Sequence, residues 1–108
     1  MNEKQRAMYE TRARIVKALA HPARLMVVDA LAKQPMCVRD IRELVGSDLS
    51  TVSKHLSVMK NAGIVADEKR GAQVFYSLRC PCAVNFFSCA EKVFETAAKD
   101  QMRLVARK

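Results

Sequence analysis

The chain has 108 residues, half of them hydrophobic, which suffices for one small domain with a packed core and excludes several domains. Its 19 lysines and arginines outnumber 11 acidic residues, and the net charge of +8 indicates a polyanionic partner, with nucleic acid as first candidate. No run approaches the roughly 18 apolar residues of a membrane span and the N-terminus does not resemble a signal peptide, so we expect a cytoplasmic protein with reduced cysteines and no membrane partner.

Helical periodicity predicts two helices in the first third of the chain. The first extends from about residue 8 to residue 20 and is broken at His21. Pro22 suits the first position of the second helix, where its missing N–H is not needed. This second helix is expected to end before Lys33.

A short third helix and a longer fourth helix follow, joined by a tight turn. The third is predicted over residues 38–45 and stops at Gly46, a residue that readily adopts the left-handed conformation. Either Ser47 or Asp48 can cap the fourth helix, which is expected to extend to about residue 62. The pair is a candidate helix-turn-helix.

The periodicity then changes from helical to alternating. Residues 64–69 and 73–78 are predicted strands of a hairpin, and a long helix is predicted over residues 83–105. The order of four helices, a hairpin and a final helix indicates a mainly helical winged helix-turn-helix with the hairpin as its wing. We expect residues 1–108 to form a single DNA-binding domain with an extra helix at each end.

The fourth helix has two opposite faces. Val52, Leu56 and Met59 form an apolar stripe suited to a core. The opposite face carries short polar side chains: Ser50, Ser53, Lys54, Ser57 and Asn61. Small hydroxyl groups allow a helix to enter the major groove closely, so this helix is interpreted as reading DNA. At the hairpin tip, Lys69 and Arg70 are predicted to contact phosphates or the minor groove.

Five short segments recur in the order and spacing of a known family: residues 18–25, 40–41, 50–56, 61–65 and 74–78. Together they resemble the ArsR/SmtB family of metal-sensing repressors over roughly residues 8–100. The resemblance implies a homodimer through the first and last helices that binds an inverted-repeat operator in double-stranded DNA until an inducer releases it. It also implies that Ser50, Ser53 and Lys54 contact DNA, with Thr51 as a further candidate. The polar face selects the first three independently.

The chain departs from the two best-known sensing sites of that family. In the arsenic site at the third helix, a cysteine is followed two residues later by another, whereas here Cys37 is followed by Arg39. The zinc site of the last helix needs histidines, and His21 and His55 are far from that helix in sequence. Cys37 is therefore interpreted as a core residue, with a role as an additional thiol left open. His55 lies beside the apolar stripe. It is interpreted as a partly buried residue that fixes the helix by hydrogen bonding, in preference to a base contact or a metal ligand.

Three thiols remain near the start of the last helix, at Cys80, Cys82 and Cys89. Some arsenic-responsive members of the family resemble this arrangement. Three thiolates suit a soft ion that keeps a lone pair, As(III) or Sb(III), while Cd, Pb, Cu(I) and Zn are alternatives. Tetrahedral zinc would need a fourth ligand, such as Cys37 of the second subunit. Basic neighbours, including Arg79, are expected to lower the thiol pKa values.

Spacing sets a geometric condition on this metal site. Two sulfurs bound to one ion at ~2.3 Å each lie at most ~4.6 Å apart. Within one straight helix, the seven residues from Cys82 to Cys89 would span about 10.5 Å. Either a loop at Cys80 and Cys82 folds back over Cys89, which Pro81 favours, or the ligands come from both subunits.

These observations predict a transcriptional repressor, not an enzyme, that is released by thiol-bound As(III) or Sb(III) and uses no organic cofactor. The same fold could instead respond to Cd, Pb or Zn, or to oxidation or reactive sulfur through a disulfide such as Cys37–Cys89 or Cys80–Cys89. An oxidoreductase using Cys80 and Cys82 lacks a matching fold pattern. A DNA-binding protein without any effector is a further alternative.

Overall fold

The computed structural model describes residues 1–106, and Arg107 and Lys108 of the predicted domain lie outside the described residues. Its elements are, in chain order, α1 (Glu3–Leu19), α2 (Pro22–Lys33), β1 (Met36–Cys37), α3 (Val38–Val45), α4 (Leu49–Asn61), β2 (Val65–Arg70), β3 (Gln73–Leu78) and α5 (Ala83–Ala106). The predicted winged helix-turn-helix is confirmed, with α3 and α4 as the helix pair and β2–β3 as the wing.

Side-chain caps determine where the first two helices begin. Asn2 and Gln5 form a capping box, because each side chain accepts a hydrogen bond from the other residue's backbone N–H. Because of this cap, α1 begins at Glu3 and not at about residue 8, the start that hydrophobic periodicity predicted. His21 Nδ1 accepts the Ala23 N–H at 3.1 Å and caps α2.

The turn between α3 and α4 follows from two residues. Gly46 has φ of 76°, the left-handed conformation that ends a helix with little strain when no Cβ is present. Asp48 then accepts the Thr51 N–H at 2.8 Å and caps α4. Both features confirm the predicted helix-turn-helix geometry.

The sheet has three antiparallel strands in the order β1-β3-β2. Val65 lies opposite Leu78 in the wing, and Gly71, with φ of 62°, forms its tip. The two-residue strand β1 pairs Met36 with Tyr76 and was not predicted. It is too short to show an alternating pattern and exists only because the distant β3 offers an edge.

The hydrophobic core lies beneath the helix-turn-helix. Its most enclosed large side chains are Val27, Val28, Ile41, Val52, Leu56, Met59, Ile64 and Val65. Burying one such side chain stabilises the fold by about 1.5–3 kcal/mol. Because α4 contributes three of them, its rotation about its own axis is fixed, and the predicted apolar stripe is confirmed.

The outer helices lie differently. None of the 24 residues of α5 is buried, and the helix is about 36 Å long. Its exposed large apolar residues are Phe86, Val93, Phe94, Met102, Leu104 and Val105, and those of α1 are Met8, Tyr9, Ile15 and Val16. Apolar side chains in such numbers on two helices are typical of an interaction surface.

Neither α5 nor another helix within residues 1–106 has the length and apolar content needed to cross a membrane.

Candidate functional site

The reading face of α4, defined by Ser50, Ser53, Lys54, Ser57 and Asn61, is exposed along its whole length. Thr51 is exposed beside it. The opposite side of the helix is packed into the core, so the reading face cannot rotate away from solvent. The structure therefore presents the predicted DNA-contacting side chains of this helix together on one accessible surface.

The first turn of α4 is ordered around Asp48. Its carboxylate accepts the Thr51 backbone N–H at 2.8 Å and the Ser50 hydroxyl at 3.2 Å. Hydrogen bonding from Thr51, followed by that from Ser50, lowers the pKa of Asp48. The Ser50 hydroxyl thus holds the cap in the free protein and keeps its acceptor lone pairs for another partner.

His55 anchors α4 to α2. It is 9% exposed, and its Nδ1 accepts a hydrogen bond from Arg24 Nε at 3.0 Å. Arg24 Nη1 also donates to the Ala18 carbonyl oxygen at 3.4 Å, and the His21 ring centroid lies 4.4 Å from that of His55. Burial, followed by the charges of neighbouring groups, lowers the pKa of His55. The predicted role of His55 as a buried fixing residue is confirmed.

The wing carries its cations at the exposed tip. The Arg70 guanidinium lies 4.8 Å from the Phe75 ring centroid and 3.3 Å from a Glu68 carboxylate oxygen. An exposed ion pair of this kind contributes less than about 1 kcal/mol, so a phosphate can replace Glu68 at little cost. Lys69 is exposed next to it. Both predicted wing residues are therefore accessible to DNA.

A second link joins α4 to the wing. Lys60 Nζ lies 2.9 Å from Asp67 Oδ2, across the turn between α4 and β2. The hydrogen bond to Asp67, with its charge, raises the pKa of Lys60. Neither this pair nor the role of Arg24 was predicted, although Arg24 lies within the segment 18–25 that carried the family resemblance. The charged side chain of Arg24 within that otherwise mostly apolar segment was a signal from which a structural or binding role could have been predicted.

The three thiols near α5 have different environments. Cys80 is half-buried against the hydrophobic core, while Cys82 and Cys89 are exposed. The Cys82 carbonyl oxygen accepts the Phe86 N–H at 3.3 Å, which places Cys82 at the very start of the helix. The expectation that Cys80 and Cys82 lie outside the helix is confirmed.

The structure does not bring these thiols together. From Ala83, the first residue of α5, to Cys89 the helix rises about 9 Å, about twice the separation that one shared ion allows. Across residues 1–106, no three histidine, cysteine or acidic side chains are grouped so that they could hold a metal ion. The Cys80, Cys82 and Cys89 site thus stays a prediction that requires a change of conformation or a second subunit.

The pKa of Cys80 moves in the direction opposite to the prediction. Burial, followed by the nearby Cys82, raises it. The expectation that basic neighbours lower the pKa is therefore wrong for this thiol, because burial against the core disfavours the charged thiolate. Cys80 needs more alkaline conditions, or a strongly bound ion, to lose its proton.

Cys37 lies in β1, directly before α3. It is 4% exposed, its backbone is paired with Phe75, and its side chain makes no capping hydrogen bond. The interpretation of Cys37 as a core residue is confirmed. Its part as an additional thiol stays a prediction.

Comparison with known proteins agrees with this geometry. Residues 21–67, from the α2 cap into β2, match the family described as "Bacterial regulatory protein, arsR family". The chain is 30% identical over 102 residues to the uncharacterized HTH-type transcriptional regulator Rv0081 of Mycobacterium tuberculosis, covering 91% of this chain and 87% of that protein. The chain belongs to the arsR family of bacterial regulatory proteins.

Two further similarities extend over most of this arsR-family chain. The biofilm growth-associated repressor of Xylella fastidiosa is 31% identical over 87 residues, covering 81% of this chain and 76% of that repressor. The homodimeric winged helix-turn-helix DNA-binding domain Mb0332 of Mycobacterium bovis has a TM-score of 0.77 and 26% identity, and the match covers 93% of both chains. The arsR-family chain is therefore a transcriptional regulator and not an enzyme.

Proposed function

We propose that residues 1–108 form a single-domain, homodimeric repressor that binds an inverted-repeat operator in double-stranded DNA. We further propose that As(III) or Sb(III), bound by the thiols of Cys80, Cys82 and Cys89, releases it. The observation that carries the proposal is the exposed polar face of α4, held in place by a core on its other side. A helix with this division between faces is suited to enter a major groove.

On the DNA, the side chains of each subunit divide into two sets. The residues of α4 would meet base edges and adjacent phosphates: Ser50, Thr51, Ser53, Lys54 and Ser57. Lys69 and Arg70 of the wing would meet the backbone or the minor groove. Phosphate contacts supply affinity and orientation, whereas contacts in the groove supply sequence preference.

Dimerisation is supported by the outer helices. The exposed apolar residues of α1 and α5 would be covered by a second copy, as the resemblance to homodimeric Mb0332 suggests. Since a two-fold dimer presents its two reading helices symmetrically, it matches an operator whose half-sites are inverted. The chain then recognises DNA only as a pair.

The thiols fit the proposed inducer in chemistry but are separated in this conformation. Soft thiolates are the ligands that trivalent arsenic and antimony prefer, as they are for Cd, Pb and Zn. Cys89 would join Cys80 and Cys82 only if the first turns of α5 unwind or if it comes from the second subunit. Either change alters α5, and with it the spacing of the two reading helices.

A disulfide switch is the second candidate. A disulfide needs only two sulfurs, and the structure has four free thiols, at Cys37, Cys80, Cys82 and Cys89. Two thiols such as Cys80 and Cys89 would each lose a proton, and the two electrons would pass to a peroxide or a persulfide. Mass spectrometry after mild peroxide treatment separates the two mechanisms, since a new disulfide lowers the mass by two hydrogens.

The inducer is tested by titrating As(III) into the protein–DNA complex at fixed salt, with fluorescence anisotropy as the readout. The duplex is an inverted repeat selected by the protein from a random library. We expect release from the wild type and none from the variant with Cys80, Cys82 and Cys89 changed to Ser. Cys37→Ser is the matched control and should respond like the wild type. Release that survives the triple change would contradict the proposed site.

A further inference from the structure

A groove of about 390 Å³ lies between the C-terminal ends of α1 and α4. Three cations line it, Arg14 and Lys17 of α1 and Arg24 of α2, and α4 contributes Asn61. No carboxylate of the described residues lines it. The groove therefore concentrates positive charge next to the reading helix, on three cations that the DNA-binding role described above does not use.

The charges of the groove are not neutralised by the protein. The salt bridges within residues 1–106 join Lys60 to Asp67, Arg70 to Glu68 and Arg103 to Asp100, so none involves the three groove cations. Like charges gathered in one groove repel one another, and a bound anion removes this repulsion. Within the described residues no carboxylate forms a salt bridge with these cations, so the neutralising anion would have to come from a ligand.

One of the three cations is held in a fixed orientation. Arg24 donates one hydrogen bond to His55 and another to the Ala18 carbonyl oxygen, which leaves further guanidinium N–H groups for a ligand in the groove. A guanidinium fixed in advance loses less entropy when it binds an oxyanion, and its planar fork matches the oxygens of a phosphate. Arg14 and Lys17 are exposed and can close on the same ligand.

The groove also joins the reading face. Asn61 belongs to both, so the groove begins where the reading face ends. A helix in the major groove is flanked by the phosphate backbone, which carries one negative charge per ~1.7 Å of duplex. The groove therefore lies at the border of the surface that would face this backbone if α4 reads DNA.

We propose that the groove between α1, α2 and α4 binds a backbone phosphate of the operator through Arg14, Lys17 and Arg24. The inference rests on the proposed DNA binding. This contact fixes the register of the reading helix on the duplex and carries no sequence information of its own. Because Arg24 also holds His55, the phosphate contact and the position of α4 depend on one side chain.

The test measures DNA affinity of the full chain against salt concentration for an Arg14→Gln, Lys17→Gln double variant. The probes are the selected inverted-repeat duplex and a scrambled duplex of equal length. Each lost phosphate contact lowers the slope of log affinity against log salt by about 0.9, so we expect a decrease of about 1 to 2. Affinity should fall by the same factor on both duplexes, because the contact does not depend on sequence.

The matched control is Lys4→Gln, Arg6→Gln, which removes the same charge from the other end of α1. We expect a clearly smaller change of slope for the control. An equal change in both double variants would show an effect of net charge alone and would overturn the proposal, as would an unchanged slope in the groove variant. Sedimentation supplies the last outcome: if only the groove variant becomes monomeric, a second copy of the chain occupies the groove and the proposal fails. If the wild type binds neither duplex, the proposed DNA binding fails as well.

Discussion

Helices α4 and α5 differ most in what surrounds them. Helix α4 buries Val52, His55, Leu56 and Met59 within its own chain, whereas α5 has no buried residue along its 24 positions. The position of the reading helix is therefore determined by one chain. Only the first turns of α5, at Ala83, Val84 and Phe87, pack against the same core, and the rest of the helix is exposed. This exposure suits a helix proposed to carry both the dimer contact and the inducer response.

The largest expected effect follows from the core. Leu56→Ala should lower the free energy of unfolding by about 2–5 kcal/mol, because it leaves a cavity beneath α4. Urea denaturation measures this loss. Leu104→Ala on α5 is the comparison, and its effect should be smaller and should depend on protein concentration. An equal, concentration-independent loss in both variants would remove the distinction between the helices.

The next effect concerns the apolar side of α5. Phe94 is 83% exposed, and Phe94→Asp should raise the dissociation constant of the dimer about 10- to 100-fold, or by about 1.4–2.8 kcal/mol. Analytical ultracentrifugation provides the measurement. Thr96→Asp introduces the same charge on the opposite side of the helix and should leave the dimer intact. A dimer that tolerates Phe94→Asp would show that this side of α5 is not the interface.

A smaller effect is expected on the reading face. Lys54→Ala should weaken DNA binding about fivefold, near 1 kcal/mol, and leave the free energy of unfolding unchanged, because Lys54 is exposed. Lys92→Ala on α5 removes the same charge far from the reading face. Anisotropy titrations of both variants at one salt concentration provide the comparison, and a stronger effect of Lys92→Ala would contradict the placement of the DNA on α4.

The smallest effect is a dependence of stability on pH. Since the folded state holds the pKa of His55 below its ordinary value of 6.5, the unfolded state binds the proton more readily. Stability from neutral His55 is thus present above about pH 6.5 and is lost as the pH falls below it, by at most about 1.4 kcal/mol per pH unit. Unfolding measured between pH 5 and pH 8 should show this slope in the wild type. His55→Gln should reduce the slope of the unfolding free energy against pH. An unchanged slope in that variant would show that another group takes up the proton on unfolding.

Local signals were enough to predict most elements. Pro22, Gly46 and Asp48 act through their own backbone geometry or hydrogen bonds to near neighbours, and the α4 stripe follows from helical periodicity. The start of α1 was missed because the Asn2 capping box is formed by polar residues, which periodicity does not register. Strand β1 was missed because its pairing depends on the distant β3.

The candidate site divides in the same way. The reading face was predicted because its side chains share one helix, but the Arg24–His55 and Lys60–Asp67 contacts join different elements. The pKa of Cys80 is raised because its side chain is half-buried after β3. The number of charged residues nearby in the sequence does not reveal this burial. The cysteines of the thiol cluster are close in sequence, but Cys80 and Cys82 precede α5 whereas Cys89 lies within it, and the three do not form one group.

The most direct measurement follows the backbone amide signals by NMR while the selected duplex is added. We expect the largest shifts within Leu49–Asn61 and at the wing tip, with smaller shifts along α5. Large shifts confined to α5, with the signals of α4 unchanged, would contradict the central claim that the exposed polar face of α4 reads the operator.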